Sequence, residues 1–141
     1  MPSTYSPSLK IELIGDGEQS GTWGQTTNKN LGTLLEQAIT GVQTITMLDV
    51  DYTLTDLNGL SDEARNAVII ATGTLTAQRN VVAPLVNKVY TVYNNTTGGF
   101  PIVFKASTGS TVTVGNGVKQ NVYCDGSTGF YSAITLSGGT F

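Results

Sequence analysis

Hydrophobic positions along this chain change their period near residue 42. Between residues 23 and 40 they fall three and four apart. Leu31, Leu34, Leu35, Ala38 and Ile39 occupy i, i+3, i+4, i+7 and i+8, and Trp23 and Thr27 extend the same face backwards by two turns. That spacing draws a single apolar stripe on an amphipathic helix. Thr22 and Gln25 have the T-x-x-Q spacing of a capping box, and Gly41 sits where a C′ glycine ends a helix. The pattern predicts one helix from about 23 to 40. Ahead of it, residues 1–8 read as an extended arm, because Pro2 and Pro7 lack N–H donors and disfavour helix. "LKIELI" at 9–14 alternates, as a short strand or an extended docking segment would.

From residue 42 onward the period is two. In "DVDYTLT", Val50, Tyr52 and Leu54 share one face, and Asp49, Asp51 and Thr53 the other, towards solvent. "NAVIIATG" is a continuous apolar run of the kind buried on both faces of a sheet. "RNVVAP" is a short strand stopped by Pro84. "KVYTVYNNTTGGFPIVFKAS" gives two strands around a turn. "STVTVGNGVKQNVYCDGSTGFYSAITL" gives three more, divided at Gly115-Asn116-Gly117 and Asp125-Gly126. Residues 58–66, "NGLSDEARN", are either a helical turn capped by Ser61 or a long loop. Short strands with regular turn signals predict a mainly β fold: an antiparallel β-sandwich-like domain, or an open barrel, preceded by an extended arm and one N-terminal α-helix. The expected division is 1–41 for arm and helix, 42–136 for the β-domain and 137–141 for a linker or tail. No internal repeat is apparent; "TGTLTAQRN" and "STGSTVTVGN" share only composition.

Composition narrows the function. The 141 residues suffice for one domain with its own core. Charged residues are only 12%, so Thr, Ser, Asn and Gln must supply the polar surface. Net charge is −3, and the seven Lys and Arg are scattered without a basic stripe, which argues against nucleic-acid binding. No segment reaches the length of a membrane helix, and no secretory signal opens the sequence, so synthesis in a cytoplasm is expected. Cys124 is the single cysteine and reads as a small core residue.

The chemistry-bearing residues do not assemble into a known motif. Without histidine, neither a Ser-His-Asp nor a Cys-His arrangement can be built. Asp49, Asp51 and Asp56 lack the spacing of a calcium loop. Asp62 and Glu63 beside Arg65 read as a solvated loop with a local ion pair. "GDGEQSG" precedes the helix but lacks the lysine of a phosphate-binding loop. No two of the ten carboxylates are paired by any cue as a glycosidase would need. Asn94 and Asn95 begin N-x-T triplets that a hairpin loop explains. Tyr90, Tyr93, Tyr123, Tyr131 and Phe130 are either a sugar-stacking surface or sheet packing. The expectation is a non-enzymatic chain with no catalytic, cofactor or metal residues.

Two regions resemble a known kind of protein. "LKIELIGDGEQSGTWGQTTNKNLGTLLEQAITG", residues 9–41, resembles the N-terminal region of tail-fibre and related virion structural proteins of tailed bacteriophages. "DYTLTDLNGLSDEARNAVIIATGTLTAQRNVVAP" and "VYNNTTGGFPIVFKASTGSTVTVGNGVKQNVYCDG" are similar to the β-domain that often follows. The resemblance implies a homotrimeric virion component located on the tail. Its N-terminal module would dock to tail or baseplate proteins, and host-surface glycan would be met by a distal region beyond this sequence. The chain has no fibre shaft, so it is expected to be either the anchoring piece of a longer fibre or a short protein used elsewhere on the particle. Trp23, Leu31, Leu34, Leu35 and Ile39 are the expected interface anchors. The alternatives are a capsid decoration or head-fibre protein and, from another class, a carbohydrate-binding module or polysaccharide-degrading enzyme.

Overall fold

The computed structural model describes residues 2–133; the expected tail at 137–141 and the end of the expected β-domain at 134–136 lie outside them. The arm forms a small antiparallel ladder between β1 (Thr4–Tyr5) and β2 (Glu12–Leu13). The helix runs where its period places it, in three consecutive segments: α1 (Trp23–Lys29), a π-helical stretch (Asn30–Leu35) and α2 (Glu36–Thr40). Both predicted ends differ in detail. Thr22 makes no side-chain cap; its hydroxyl donates to the Gln19 carbonyl, and the Gln25 N–H donates to the Thr22 carbonyl. Gly41 is extended (φ −68°, ψ 136°), so it is no left-handed C′ glycine. Space explains it: a Cβ there would lie 2.3 Å from both Asn66 Oδ1 and the Gln37 carbonyl.

Nine further strands follow: β3 (Val42–Thr46), β4 (Tyr52–Thr53), β5 (Val68–Thr72), β6 (Arg79–Val82), β7 (Asn87–Asn94), β8 (Ile102–Lys105), β9 (Thr111–Val114), β10 (Lys119–Asp125) and β11 (Phe130–Ser132). The protein is mainly β, and the strands form a five-stranded sheet in the order β11-β10-β7-β5-β3 and a four-stranded sheet in the order β4-β6-β8-β9. Both sheets are mixed. From β3 to β8 the chain alternates between them, and each strand pairs in parallel with the strand two further on. The first half is therefore a coil of stacked turns. Val68 pairs with Thr91 and Arg79 with Ile102, so the last two turns keep one constant register through both sheets. Within these two sheets antiparallel pairing begins only at β9, β10 and β11. Consequently β7 and β8, which read as two strands around one turn, belong to different sheets.

The two sheets face each other across one core. Ile45, Ile69, Val92 and Val122 come from one sheet, and Val81, Ile102, Phe104 and Val114 from the other. At its centre Tyr90, Phe104 and Phe130 pack with ring centroids 5.0–6.1 Å apart. Tyr90 spends its hydroxyl proton on the Ala64 carbonyl at 2.6 Å, as a buried phenol must. Cys124 lies in this core. The far end of the coil is closed where β11 crosses to the other sheet: Phe130 N–H donates to the Ser110 carbonyl, and Ser110 N–H to Thr128.

The corners explain why the coil repeats in space without repeating in sequence. Gly73 and Gly98 share φ 109° and occupy equivalent corners; an added Cβ would lie 2.3 Å from the Met47 carbonyl and 2.1 Å from that of Leu75. Elsewhere, stacked positions hold unlike residues. Ile45, Ala71 and Asn94 form one inward column. Asn94 is accommodated because its amide donates to the Phe100 and Val114 carbonyls while its oxygen accepts from Thr96.

Candidate interaction surface

The predicted helix stripe divides between interior and surface. The division falls inside the π-helical stretch, which holds Leu31, Leu34 and Leu35 together. Leu34 is fully buried and Leu35 half-buried, whereas Trp23, Leu31 and Ile39 are 61%, 59% and 67% exposed. A tryptophan left that far in water on a folded domain is a candidate contact point.

The arm and one loop hold the helix in place. Asn30 pairs its side-chain amide with the main chain of Glu12, donating to its carbonyl at 2.8 Å and accepting from its N–H at 3.3 Å. Gln19 links the Glu12 carboxylate to the Thr26 hydroxyl. Lys10 bonds Asp56, and Gly59 N–H donates to the Lys10 carbonyl. On the other side Gln37 donates to the Asp62 carbonyl and accepts from the Ser61 hydroxyl. Residues 58–66 form a loop, without the helical turn that Ser61 was a candidate to cap.

That loop holds a polar group the sequence misplaced in solvent. Asp62 and Arg65 form an ion pair at 3.3 Å with both side chains only 2% exposed. The Asp62 carboxylate also accepts from the Leu57 and Arg65 N–H groups, and Arg65 Nη2 donates to the Leu57 and Leu60 carbonyls. Neither residue type nor i,i+3 spacing could have announced this burial. Beside the pair, Ser8, Leu9, Pro84 and Tyr90 line a cavity with ≈ 10 Å³ of room for the centre of a water-sized sphere, about one water molecule. Nearby, Lys88 donates to the Asn66 and Val89 carbonyls and stands 4.3 Å over the Tyr90 ring; burial pulls its pKa down to about 8.

Asp49 and Asp51, expected on the solvent face of a strand, do reach solvent but precede β4 in a loop, from which they lock adjacent turns of the coil. Asp49, with φ 58°, accepts from the Thr76 N–H and hydroxyl and from Arg79 Nε; these bonds pull its pKa down to about 2. Asp51 accepts from the N–H and side-chain amide of Asn80. The Glu63 carboxylate accepts from the Tyr52 hydroxyl at 2.6 Å, holding that phenol's pKa up at about 12. Asp125 closes its turn by accepting from the Thr128 hydroxyl and from the Ser127, Thr128 and Gly129 N–H groups, which lower its pKa. Among the described residues no three His, Cys, Asp or Glu side chains gather as a metal site.

The aromatic candidates also separate. Tyr90 and Phe130 are core residues. Tyr93 and Tyr123 sit on the outer face of the five-stranded sheet, Tyr93 under Lys119 and Tyr123 beside Tyr131 at 5.7 Å. "GDGEQSG" is the turn entering the helix, and Asn94 and Asn95 lie at a coil corner. No helix among the described residues is long and apolar enough to cross a membrane. Comparison with protein-family models, curated proteins and solved structures finds no match.

Proposed function

We propose that the chain is a virion structural protein of a tailed bacteriophage, the N-terminal module of a tail fibre, which docks to the tail through its arm and helix. One observation carries this reading. Of thirteen large hydrophobic side chains exposed among the described residues, ten lie at or before residue 60 and three after it. Exposed apolar surface gathered on one part of a molecule marks contact with another. Five of the thirteen, Tyr5, Leu13, Trp23, Leu31 and Ile39, lie on residues 1–41, the module whose wording, "EQSGTWG" and "NLGTLLEQAITG", carries the resemblance to fibre N-termini, and five more follow directly between Val42 and Leu60. The β-domain that follows supplies a rigid, weakly charged body suited to a crowded assembly.

Docking is tested by changing Trp23 and Leu31 together to Ala and quantifying the chain in purified particles. Both side chains are exposed, so folding is retained. The reading expects the variant to be depleted from particles at least tenfold. Incorporation at the unaltered level rejects the helix face as the docking surface.

A further inference from the structure

The outer edge of β3 presents main-chain groups that no other strand among the described residues pairs. Met47 N–H donates to the Thr72 carbonyl and Val68 N–H to that of Gly41, so odd-numbered residues of this strand direct their groups at β5. The N–H and C=O groups of Val42, Thr44 and Thr46 face the opposite way, where the sheet ends. Among the described residues the one group that bonds there is the Gln43 side-chain amide, which folds onto the Thr44 carbonyl at an exposed position. Edge strands are ordinarily blunted by lysine, proline or a bulge. "VQTIT" has none of these, and four of its five residues are β-branched.

We propose that β3 pairs antiparallel with β3 of a second copy, about a two-fold axis through Thr44. That register sets Thr44 against the partner's Thr44 and Val42 against the partner's Thr46. Each facing pair exchanges both of its hydrogen bonds, so every outward donor and acceptor of the strand is satisfied. An isologous contact needs a self-complementary patch. Residues 37–48 contain no charge, so the two strands meet without repulsion.

The flanks fit the same axis. Antiparallel pairing about Thr44 brings Leu48 of one copy alongside the end of the partner's α2, where Ile39 stands. Leu48 and Ile39, at 79% and 67%, are the two most exposed large hydrophobic side chains among the described residues. With Val42 and Val50 they offer on the order of 400 Å² of apolar surface per copy. Adding the strand edge brings the interface to about 1,000 Å² in total, the lower end for a specific contact. The edge favours this two-fold pair over the three-fold bundle that the fibre resemblance implies. The inference rests on edge geometry and is independent of the virion reading: a monomer would leave docking untouched, and absence from particles would leave the dimer untouched.

Sedimentation equilibrium of the chain at about 100 µM should give twice the 14.8 kDa protomer mass. Thr44→Pro removes an outward N–H without touching the β5 ladder, and should give a monomer with unchanged far-UV circular dichroism. Facing Cα atoms of a hydrogen-bonded pair lie about 5.5 Å apart, within disulfide reach. Native Cys124 is buried. Thr44→Cys should therefore oxidise to a covalent dimer, and Thr46→Cys, which faces Val42, should not. A monomeric or trimeric wild type, or equal cross-linking by both cysteine variants, overturns the proposal. Should Thr44→Pro unfold, the cysteine pair decides alone.

Discussion

Asp62 and Arg65 lie 3.3 Å apart in a loop that sequence alone places in solvent, yet each side chain is 2% exposed. Asp62 also holds two main-chain N–H groups, and its own carbonyl accepts from Gln37 of the helix. Removing one partner strands the other charge in the interior. Asp62→Ala is expected to cost about 3–5 kcal/mol, read from the midpoint of urea unfolding. A loss below about 1 kcal/mol would mean that the loop is solvated.

Gly73 and Gly99 separate steric need from conformational preference. Both have positive φ, but a Cβ on Gly73 meets the Met47 carbonyl whereas one on Gly99 meets nothing within 4 Å. Gly99→Ala should cost about 1 kcal/mol, from backbone strain alone. Gly73→Ala adds a main-chain clash at the coil corner and should cost about 3 kcal/mol or more. Equal losses in chemical denaturation would contradict the tight stacking of the corners.

The two leucines of the helix stripe should respond oppositely. Leu34→Ala empties a buried site and is expected to lose about 2–5 kcal/mol. Leu31→Ala removes an exposed side chain and should stay within about 0.5 kcal/mol of wild type. Thermal melts of the isolated chain distinguish them.

Lys88 predicts an alkaline signature. Burial lowers its pKa from 10.5 to about 8, with Arg65 adding to the shift and Asp62 opposing it. Between those values the unfolded chain keeps a proton that the folded chain has released, so this group's contribution to stability rises with pH across the window. The melting temperature of wild type minus that of Lys88→Met should therefore climb from pH 8 to pH 10. Asp49 acts at the other extreme. Its pKa is depressed from 3.8 to about 2, so its stabilising contribution is complete above the ordinary value and is lost as pH falls through about 2. A flat Lys88 difference across the alkaline window would contradict its burial.

Much of the fold could be read from local pattern. The helix from 23 to 40 follows from its apolar spacing, and turn signals such as Asp125-Gly126 fall between strands that do pair, β10 and β11. Strand order was hidden because parallel partners lie more than twenty residues apart and no local signal links them. The stacked columns mix residues as unlike as Ile45, Ala71 and Asn94, so the repeat leaves no sequence period. At the surface, the stripe named Trp23, Leu31, Leu34, Leu35 and Ile39 alike. Only the folded structure separates them, burying Leu34 and leaving Trp23, Leu31 and Ile39 exposed.

As proposed, the chain is part of a tailed particle and is attached at its tail. Immunogold labelling of intact, purified particles with antibody against the isolated chain tests that most directly. Gold confined to the tail is the expected result. Label on the head would contradict tail attachment in favour of a shell-bound decoration protein, and particles without label, beside abundant free chain, would contradict a virion role.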